Sequence, residues 1–582
     1  MKESPHKTAE QLKEVLCTYL ETAYRISNRA VRSERGRLLR EPGVVSQVPF
    51  VETTPMYQEG VWFKDLEERW IPEKLIELAE FGFPTGRSPL WAHQEAAIRA
   101  AWGPRGEPGN LIVATGTGSG KTECFYLPIL ADILRESSNW DDPSDREREG
   151  EWDSRRSEWL HSRQHEGRAA ALRAIILYPM NALVNDQLRR LRKGLASDKA
   201  LDWQSTHLRG NRIYFGRYTS QTQLAGNPGA VKRRRRWKDY KSTVENQWNT
   251  IDERLKESGG WPRLGGSEML CRWDMQQAPP DVLITNYSML EYMLVRPIEN
   301  DIFERTRLWL ESSDEHFLTL VLDEAHTYTG ARGTEVAYLL RRLYERLGVD
   351  RSRIRCIATS ASLGNTEEAL QRIRQFSSDL FHQPPESFTV VREMVRELPA
   401  STTQASNEEI RAFAEYQLRL SRHAAQSNVK EGTGKGPCPD KWLLDQLSTR
   451  SHSDVYSGLY EVLREHPRFL DLRRRTDRHA CRLDELADAI WGDLADPEDR
   501  QLATAGMLSA GGLARQGGKA SDRDVPPLLP SRLHLMYRGI PGLWACFDPQ
   551  CSLVHNPDGR RPCGTLYGST RVQPVRRSAR GS

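Results

Sequence analysis

The chain has 582 residues, 38% hydrophobic and 28% charged, with a formal net charge of +4. That length fits roughly two to four domains of about 100–200 residues; no run approaches the ~18 apolar residues that span a bilayer. So small a charge cannot support nucleic-acid binding by itself, and any such reading has to come from local patches and motifs. The start, MKESPHKTAEQLKEV, lacks the apolar stretch of a signal peptide, and the expected location is the cytoplasm, away from any membrane. Nine cysteines are widely spaced except Cys546, Cys551 and Cys563, so no disulfide framework is indicated.

From the N-terminus, Leu12, Val15, Leu16, Leu20, Tyr24 and Ile26 recur near the helical period of about 3.6 residues and predict one long helix over 9–39, stopped at Pro42–Gly43. Pro49 to Gly60 reads as extended and Pro72–Phe81 as a short amphipathic helix, completing a helical extension over 1–86. From 87 to 390 short β-branched runs alternate with helical segments, which predicts an α/β domain whose parallel sheet carries helices on both faces. The expected strands are Leu111–Ala114, Ala174–Leu177, Arg212–Phe215, Val282–Thr285, Thr319–Leu322 and Arg355–Thr359. Most end at a Gly, Pro or polar residue, and open α/β sheets place their ligands at that carboxyl edge.

Two stretches interrupt this alternation. Ser137–Glu166 is highly charged and reads as an exposed loop. Ala230–Lys241, AVKRRRRWKDYK, carries seven Lys/Arg with Trp237 and Tyr240 among them. It reads either as a phosphate-binding patch with an aromatic to stack on a base, or as a solvated basic loop. Beyond 390, residues 405–425 and 441–495 predict amphipathic helices of an accessory region over 391–530, closed by a Gly/Arg-rich loop near 510–524. A cysteine-rich segment over 531–582 follows, where Cys546, Cys551, His555 and Cys563 are a candidate tetrahedral Zn²⁺ set at irregular spacing.

The chemistry concentrates in two stretches. LIVATGTGSGKTECF, Leu111–Phe125, has the order strand, glycine-rich turn, helix start. Thr117, Gly118, Ser119 and Gly120 would turn backbone N–H groups toward phosphates, Lys121 would reach the β- and γ-phosphates of ATP, and the Thr122 hydroxyl would ligate Mg²⁺. LVLDEAHTYTG, Leu320–Gly330, ends an apolar strand in acid. Asp323 would hold the same Mg²⁺, and Glu324 would orient the attacking water. The two stretches are expected to face each other from adjacent strands. Gln94 offers an amide to the adenine edge, while His326, Ser360 and Ser362 could couple phosphate state to the nucleic-acid side.

In register, these segments resemble a superfamily 2 DEAD/DEAH-box helicase. LWAHQEAAI resembles its adenine-side glutamine motif, LIVATGTGSGKTE motif I, LYPMNALVNDQ motif Ia, LDEAH motif II and TSAS motif III, with ITNYSMLEYML as a strand-contacting motif. DEAHTYTGARGTEVAYLLRRL, Asp323–Leu343, is similar to large bacterial helicases with a C-terminal cysteine-rich domain, of the MrfA-like repair and Druantia-type defence kinds. The match covers about residues 1–390, as the N-terminal portion of such an enzyme. The resemblance implies a RecA-like fold and ATP-driven movement on single-stranded or partly duplex DNA, with RNA left open as the alternative to DNA, 3′ to 5′, in antiphage defence or DNA repair. Pro179, Asn181, Arg217, Thr219, Asn286 and Tyr287 would be the nucleic-acid-side residues. No arginine-rich segment of a second RecA-like lobe follows residue 390. The expectation is therefore a first lobe that binds ATP, does not unwind alone, and works with a second lobe on another chain or in a C-terminal part. The competing reading is an ATP-responsive nucleic-acid-binding scaffold.

Overall fold

The computed structural model describes residues 5–567 outside 42, 56, 67–69, 84–88, 103–107, 117, 144–150, 154–157, 227, 229–230, 362–365, 397–405, 428–437, 449, 451, 453, 478, 493–494, 517–526, 538–543 and 547–565. The chain divides into two compact units, Met56–Arg396 and Met1–Pro55 with Glu397–Ser582. This differs from the four-part division expected from sequence. Phe50–Thr53 is the central strand of a three-stranded antiparallel sheet, flanked by Cys481–Arg482 and Ser531–His534. Its ladder hydrogen bonds therefore tie residues 50–53 to the C-terminal part of the chain.

Met56–Arg396 is built on eight strands: β1 (Asn110–Ala114), β2 (Ala174–Leu177), β3 (Phe215–Tyr218), β4 (Glu268–Met269), β5 (Val282–Thr285), β6 (Leu318–Leu322), β7 (Ile354–Ser360) and β8 (Phe388–Arg392). They form one parallel sheet in the order β8-β1-β7-β6-β2-β5-β3-β4. The helices used below are α1 (Ala92–Ala100), α2 (Glu123–Glu136), α3 (Asn181–Leu195), α4 (Val231–Thr250), α5 (Tyr287–Val295) and α6 (Gly330–Leu347). Successive strand residues point to opposite faces. Leu111, Ile176, Ile284 and Val321 join Leu130 of α2 and Leu188 of α3 in one apolar core. Ile112, Ile175, Leu283 and Leu320 join Leu290 of α5 and Leu340 of α6 in a second. A parallel sheet buried on both faces by helices is the RecA-like arrangement.

Several sequence expectations are corrected here. Strand β3 begins at Phe215 rather than Arg212, because the Tyr214 N–H is taken by the Asp281 carboxylate at 2.8 Å and cannot start the ladder. The described part of Ser137–Glu166 is not an exposed loop. It includes a small hairpin, and Arg163 and Glu166 are buried. Their charges leave water because they compensate one another around the buried Asp281, which lies 2.7 Å from Arg168, 3.2 Å from Arg173 and 3.6 Å from Arg163. Burial would raise the Asp281 pKa, but the three guanidiniums hold it below the usual carboxylate range. The basic stretch 230–241 is no loop from Val231 onward, since α4 starts there. Trp237 is buried against Trp159 and Trp273, so it is not available to stack on a base.

In the other unit the expected single N-terminal helix is two, Pro5–Ala23 and Arg29–Arg40. Asn28 makes the break by accepting the Val31 N–H at 3.1 Å, a side-chain N-cap. The loop expected near 510–524 is helical through Leu513, as part of Pro497–Leu513. That helix packs so closely on Asn407–Ser427 that a Cβ on Gly506 would sit 2.1 Å from the Phe413 carbonyl. Of the candidate Zn²⁺ set, Cys546 is half-buried, while Cys551, His555 and Cys563 lie outside the described residues. No described helix is long and apolar enough to cross a membrane.

Candidate nucleotide site and nucleic-acid edge

The parallel register brings the ends of β1, β7 and β6 to one edge, with Ser360 beside Ala114 and Ala358 beside Leu322. The lysine loop and the acidic strand tip are therefore not on adjacent strands, as expected from sequence: β7 runs between them. At about 4.8 Å per strand the two loops start roughly 10 Å apart. The Lys121 side chain closes that gap, placing Nζ 3.2 Å from Glu324 Oε1 and 3.5 Å from the Ser360 carbonyl.

The loop before α2 has the shape of a phosphate cradle. Gly118 and Gly120 have φ of 85° and 80°, a backbone that only glycine adopts at no steric cost. The Thr115 and Ser119 hydroxyls lie 2.6 Å apart, and the buried His93 ring contacts the Ser119 carbonyl at 2.7 Å. Gln94 donates its amide to the Gly120 carbonyl at 3.3 Å and accepts the Trp91 N–H at 3.0 Å. It thus braces the cradle as well as lining a cavity of about 600 Å³ together with Phe83, Trp91, Gly118, Thr122 and Glu123. The Thr122 hydroxyl accepts from the Gln187 amide at 3.5 Å.

At the acidic tip, Asp323 is buried, and burial raises its pKa; the Thr359 hydroxyl donates to its Oδ1 and opposes that rise, the Glu324 charge adds to it, and Lys121 opposes it. A divalent cation alongside would favour the ionised form. Glu324 adopts the left-handed region at φ 49°, which costs a non-glycine residue about 1–3 kcal/mol. His326 is exposed, with Nδ1 3.4 Å from Glu324 Oε2. Ser360 takes part through its carbonyl, which also accepts the Thr115 N–H at 3.3 Å. Thr117 and Ser362 lie outside the described residues.

Three further contacts were not foreseen. The Thr359 hydroxyl bridges Asp323 and the Glu324 N–H, the latter at 3.2 Å. Aligning the ends of β6 and β7 would have found it, since Thr359 follows the register partner of Leu322. Glu123 accepts from Arg190 at 2.8 Å. Glu393 accepts the Gly116 N–H at 3.0 Å from beyond the edge strand β8, where no motif marks it.

The other half of the same edge is formed by β2, β5 and β3, with Leu177, Thr285 and Tyr218 in register. The Asn286 amide donates to Asn181 Oδ1 at 3.0 Å, and its own Oδ1 caps α5 by accepting the Met289 N–H at 2.8 Å. Pro179, two residues before Asn181, is half-buried. Tyr287 meets Tyr328 edge-on, ring centroids 6.2 Å apart, with the Arg332 guanidinium 6.0 Å from the Tyr287 ring. Arg217 is held by Asn185 at 2.9 Å and Gln221 at 3.2 Å. Thr219 is fully buried and accepts the Gln221 N–H at 3.3 Å, so it shapes the loop after β3 and does not face outward.

A DEAD/DEAH box helicase model matches residues 91–231, ending where α4 begins. The Druantia protein DruE of Escherichia coli (strain UMEA 4076-1) is 33% identical over 97% of this chain and 31% of its own length. The similarity thus runs well past residue 390, where the sequence motifs stop. An uncharacterized ATP-dependent helicase of Methanocaldococcus jannaschii, MJ1574, is 24% identical over 48% of this chain and 26% of its own. The chain therefore spans about a third or less of the length of these relatives. Among solved structures, that of the DUF1998 helicase MrfA bound to DNA and AMPPNP is similar at 18% identity and a TM-score of 0.33, over 69% of this chain and 41% of that one.

Proposed function

Because this chain, through its helicase domain, belongs to the DEAD/DEAH-box helicases, we propose that it is the first, ATP-binding lobe of an ATP-dependent DNA helicase or translocase. The observation that carries this reading is the Lys121–Glu324 contact across β7, with Asp323 next to Glu324 and the glycine-rich cradle next to Lys121. Cradle N–H groups and Lys121 bind and orient the phosphates, Thr122 and Asp323 hold Mg²⁺, and Glu324 takes up a proton from the attacking water. Bound Mg²⁺ supplies charge neutralisation on the phosphate oxygens. The donor set fits it: a hydroxyl and a carboxylate are hard oxygen ligands of the kind Mg²⁺ prefers.

Pro179, Asn181, Asn286, Tyr287 and Arg217 occupy the other half of the edge, where small polar groups and backbone N–H groups hold phosphates without reading bases. On β7 Thr359 fixes Asp323 and the Glu324 N–H, the Ser360 carbonyl next to it takes Lys121 and the Thr115 N–H, and His326 lies beside Glu324 on the exposed side. The substrate is taken as DNA, and the polarity as 3′ to 5′, on the motif resemblance. A role in antiphage defence is supported by the likeness to a Druantia protein over nearly all of this chain; DNA repair is the alternative pathway. The reading includes a second RecA-like lobe, on a partner chain or in a C-terminal part, that closes over the nucleotide and brings an arginine to the transferred phosphoryl group.

ATP turnover with and without single-stranded DNA tests this reading. The chain alone is expected to bind Mg-ATP, hydrolyse it slowly and leave a tailed duplex wound, and addition of the second lobe to restore DNA-stimulated turnover. Rapid DNA-stimulated hydrolysis by this chain alone would contradict the half-motor assignment, and failure to bind ATP would contradict the site itself.

A further inference from the structure

Helix α4 begins where the helicase-matched segment ends and opens on the densest positive charge in the sequence. Within 231–241 there are seven Lys/Arg against one acid, Asp239, a larger excess than the +4 of the entire chain. A helix that served only to fill space between β3 and β4 would have no need of it. The helix is also firmly attached. Trp237 and Val244 are buried, Trp237 lying against Trp159 at 5.4 Å between ring centroids, and Trp159 against Trp273 at 5.2 Å. The Trp159 N–H donates to buried Asp274 at 2.9 Å, and the Trp273 N–H to the Gly226 carbonyl at 2.6 Å. Arg233 lies against Gly226, so the first turns of α4 rest on the loop that follows β3. That strand carries Arg217 at the nucleic-acid half of the edge.

With Trp237 and Val244 turned inward, Lys232, Arg235, Arg236 and Lys238 are exposed. Among the described residues none of these four has a carboxylate partner within ion-pair distance. Holding four unpaired cations on a rigid helix raises the local positive potential. Trp237 is turned inward, and the half-buried Tyr240 ring packs on it at 5.9 Å between centroids, so neither stands out as an open stacking platform. The surface offers charge without base recognition, which is the chemistry of a phosphate backbone.

We infer that α4 is a second DNA contact, in which Lys232, Arg235, Arg236 and Lys238 grip the phosphate backbone alongside the strand-end residues. This rests on the helicase reading above and extends the path of the DNA beyond the sheet edge. The test is the variant K232Q/R235Q/R236Q/K238Q in the full chain, with R235Q/R236Q as a milder form should the fourfold change impair folding. Affinity for a fluorescein-labelled single strand and for a tailed duplex is measured at several salt concentrations, alongside ATP affinity. The expected result is weaker DNA binding with a log–log salt slope shallower by about 2–4 for the fourfold variant, at about 0.9 per lost duplex phosphate contact, and unchanged ATP affinity. A larger loss on the tailed duplex than on the single strand locates the contact on duplex, and equal losses locate it on the strand. An unchanged salt slope in both variants overturns the inference, as would an acidic protein ligand whose binding is lost while DNA binding is kept. Absence of DNA binding by the unmodified chain would instead overturn the helicase reading.

Discussion

Replacing Gly120 by Ala probes the cradle at its tightest point. Gly120 has φ of 80°, and a Cβ there would sit 2.2 Å from the Gln94 amide nitrogen and 3.1 Å from Glu123 Oε2. The left-handed backbone costs an alanine about 1–2 kcal/mol. Moving the Gln94 amide breaks its bonds to the Gly120 carbonyl and Trp91 N–H, at about 1 kcal/mol each. The total is about 3–4 kcal/mol. If the loop relaxes away from the cradle, ATP must restore it, and affinity falls by about 100-fold or more, at about 1.4 kcal/mol per tenfold. If it does not relax, the same energy appears as lost stability. Gly116→Ala is the internal control: its φ is not positive, and its Cβ would meet the movable tip of Glu393 at 3.2 Å and the Tyr57 hydroxyl at an ordinary 3.7 Å. Titration with a fluorescent ATP analogue, together with denaturant unfolding, measures both outcomes. A G120A variant that matched G116A in affinity and in stability would refute the assignment of this loop as a preformed phosphate cradle.

Glu324→Gln is expected to lower ATP turnover, measured with the second lobe present, by about 10²–10⁴-fold while ATP binding is retained; loss of binding instead would mean that Glu324 is a ligand rather than the water-orienting base. Asp281→Asn removes the carboxylate shared by Arg163, Arg168 and Arg173, leaving the first two only Glu166 and the third only Glu136, and the denaturant midpoint should drop by the equivalent of about 3–5 kcal/mol. Burial pushes the Asp274 carboxyl up to about 6, against hydrogen bonds from Trp159 and Ser162. The folded state therefore binds this proton more tightly than the unfolded chain, so the group's contribution to stability is full below about pH 4 and is lost as pH rises through 6. Asp274→Asn should stabilise the protein by up to about 3 kcal/mol at pH 8, with the gain shrinking toward pH 4; a gain independent of pH would show that the carboxyl is not the cause.

The strands of the nucleotide site were legible because each is a short apolar run ending in a polar or glycine residue, and five of the six expected strands differ from the observed bounds by no more than one residue at either end. Chain-local signals stop there. The strand between Lys121 and Asp323 could not be read, because strand order depends on pairing across long separations. Thr359 was passed over for its neighbours Ser360 and Ser362 because a motif names residue types, while the register decides which hydroxyl meets the carboxylate. The charged residues of 137–166 looked solvated, since charges are buried only when compensated, and here the compensating Asp281 is more than a hundred residues away. Gly511 was read as part of the loop near 510–524, yet it lies in a helix, and a Cβ there would sit 2.5 Å from the Phe469 ring of a neighbouring one.

Electron paramagnetic resonance of Mn²⁺ in place of Mg²⁺ tests the central claim most directly, by titrating the metal with a non-hydrolysable ATP analogue into the unmodified chain, Asp323→Asn and Lys121→Ala. The Lys121 loop and the Asp323 tip are taken to hold one metal–nucleotide complex across β7. Each substitution should therefore weaken protein-bound Mn²⁺–nucleotide by tenfold or more, as about 1.4 kcal/mol or more of lost interaction, and neither variant should retain a separate metal site. Bound Mn²⁺–nucleotide at unmodified affinity in Asp323→Asn would contradict the account.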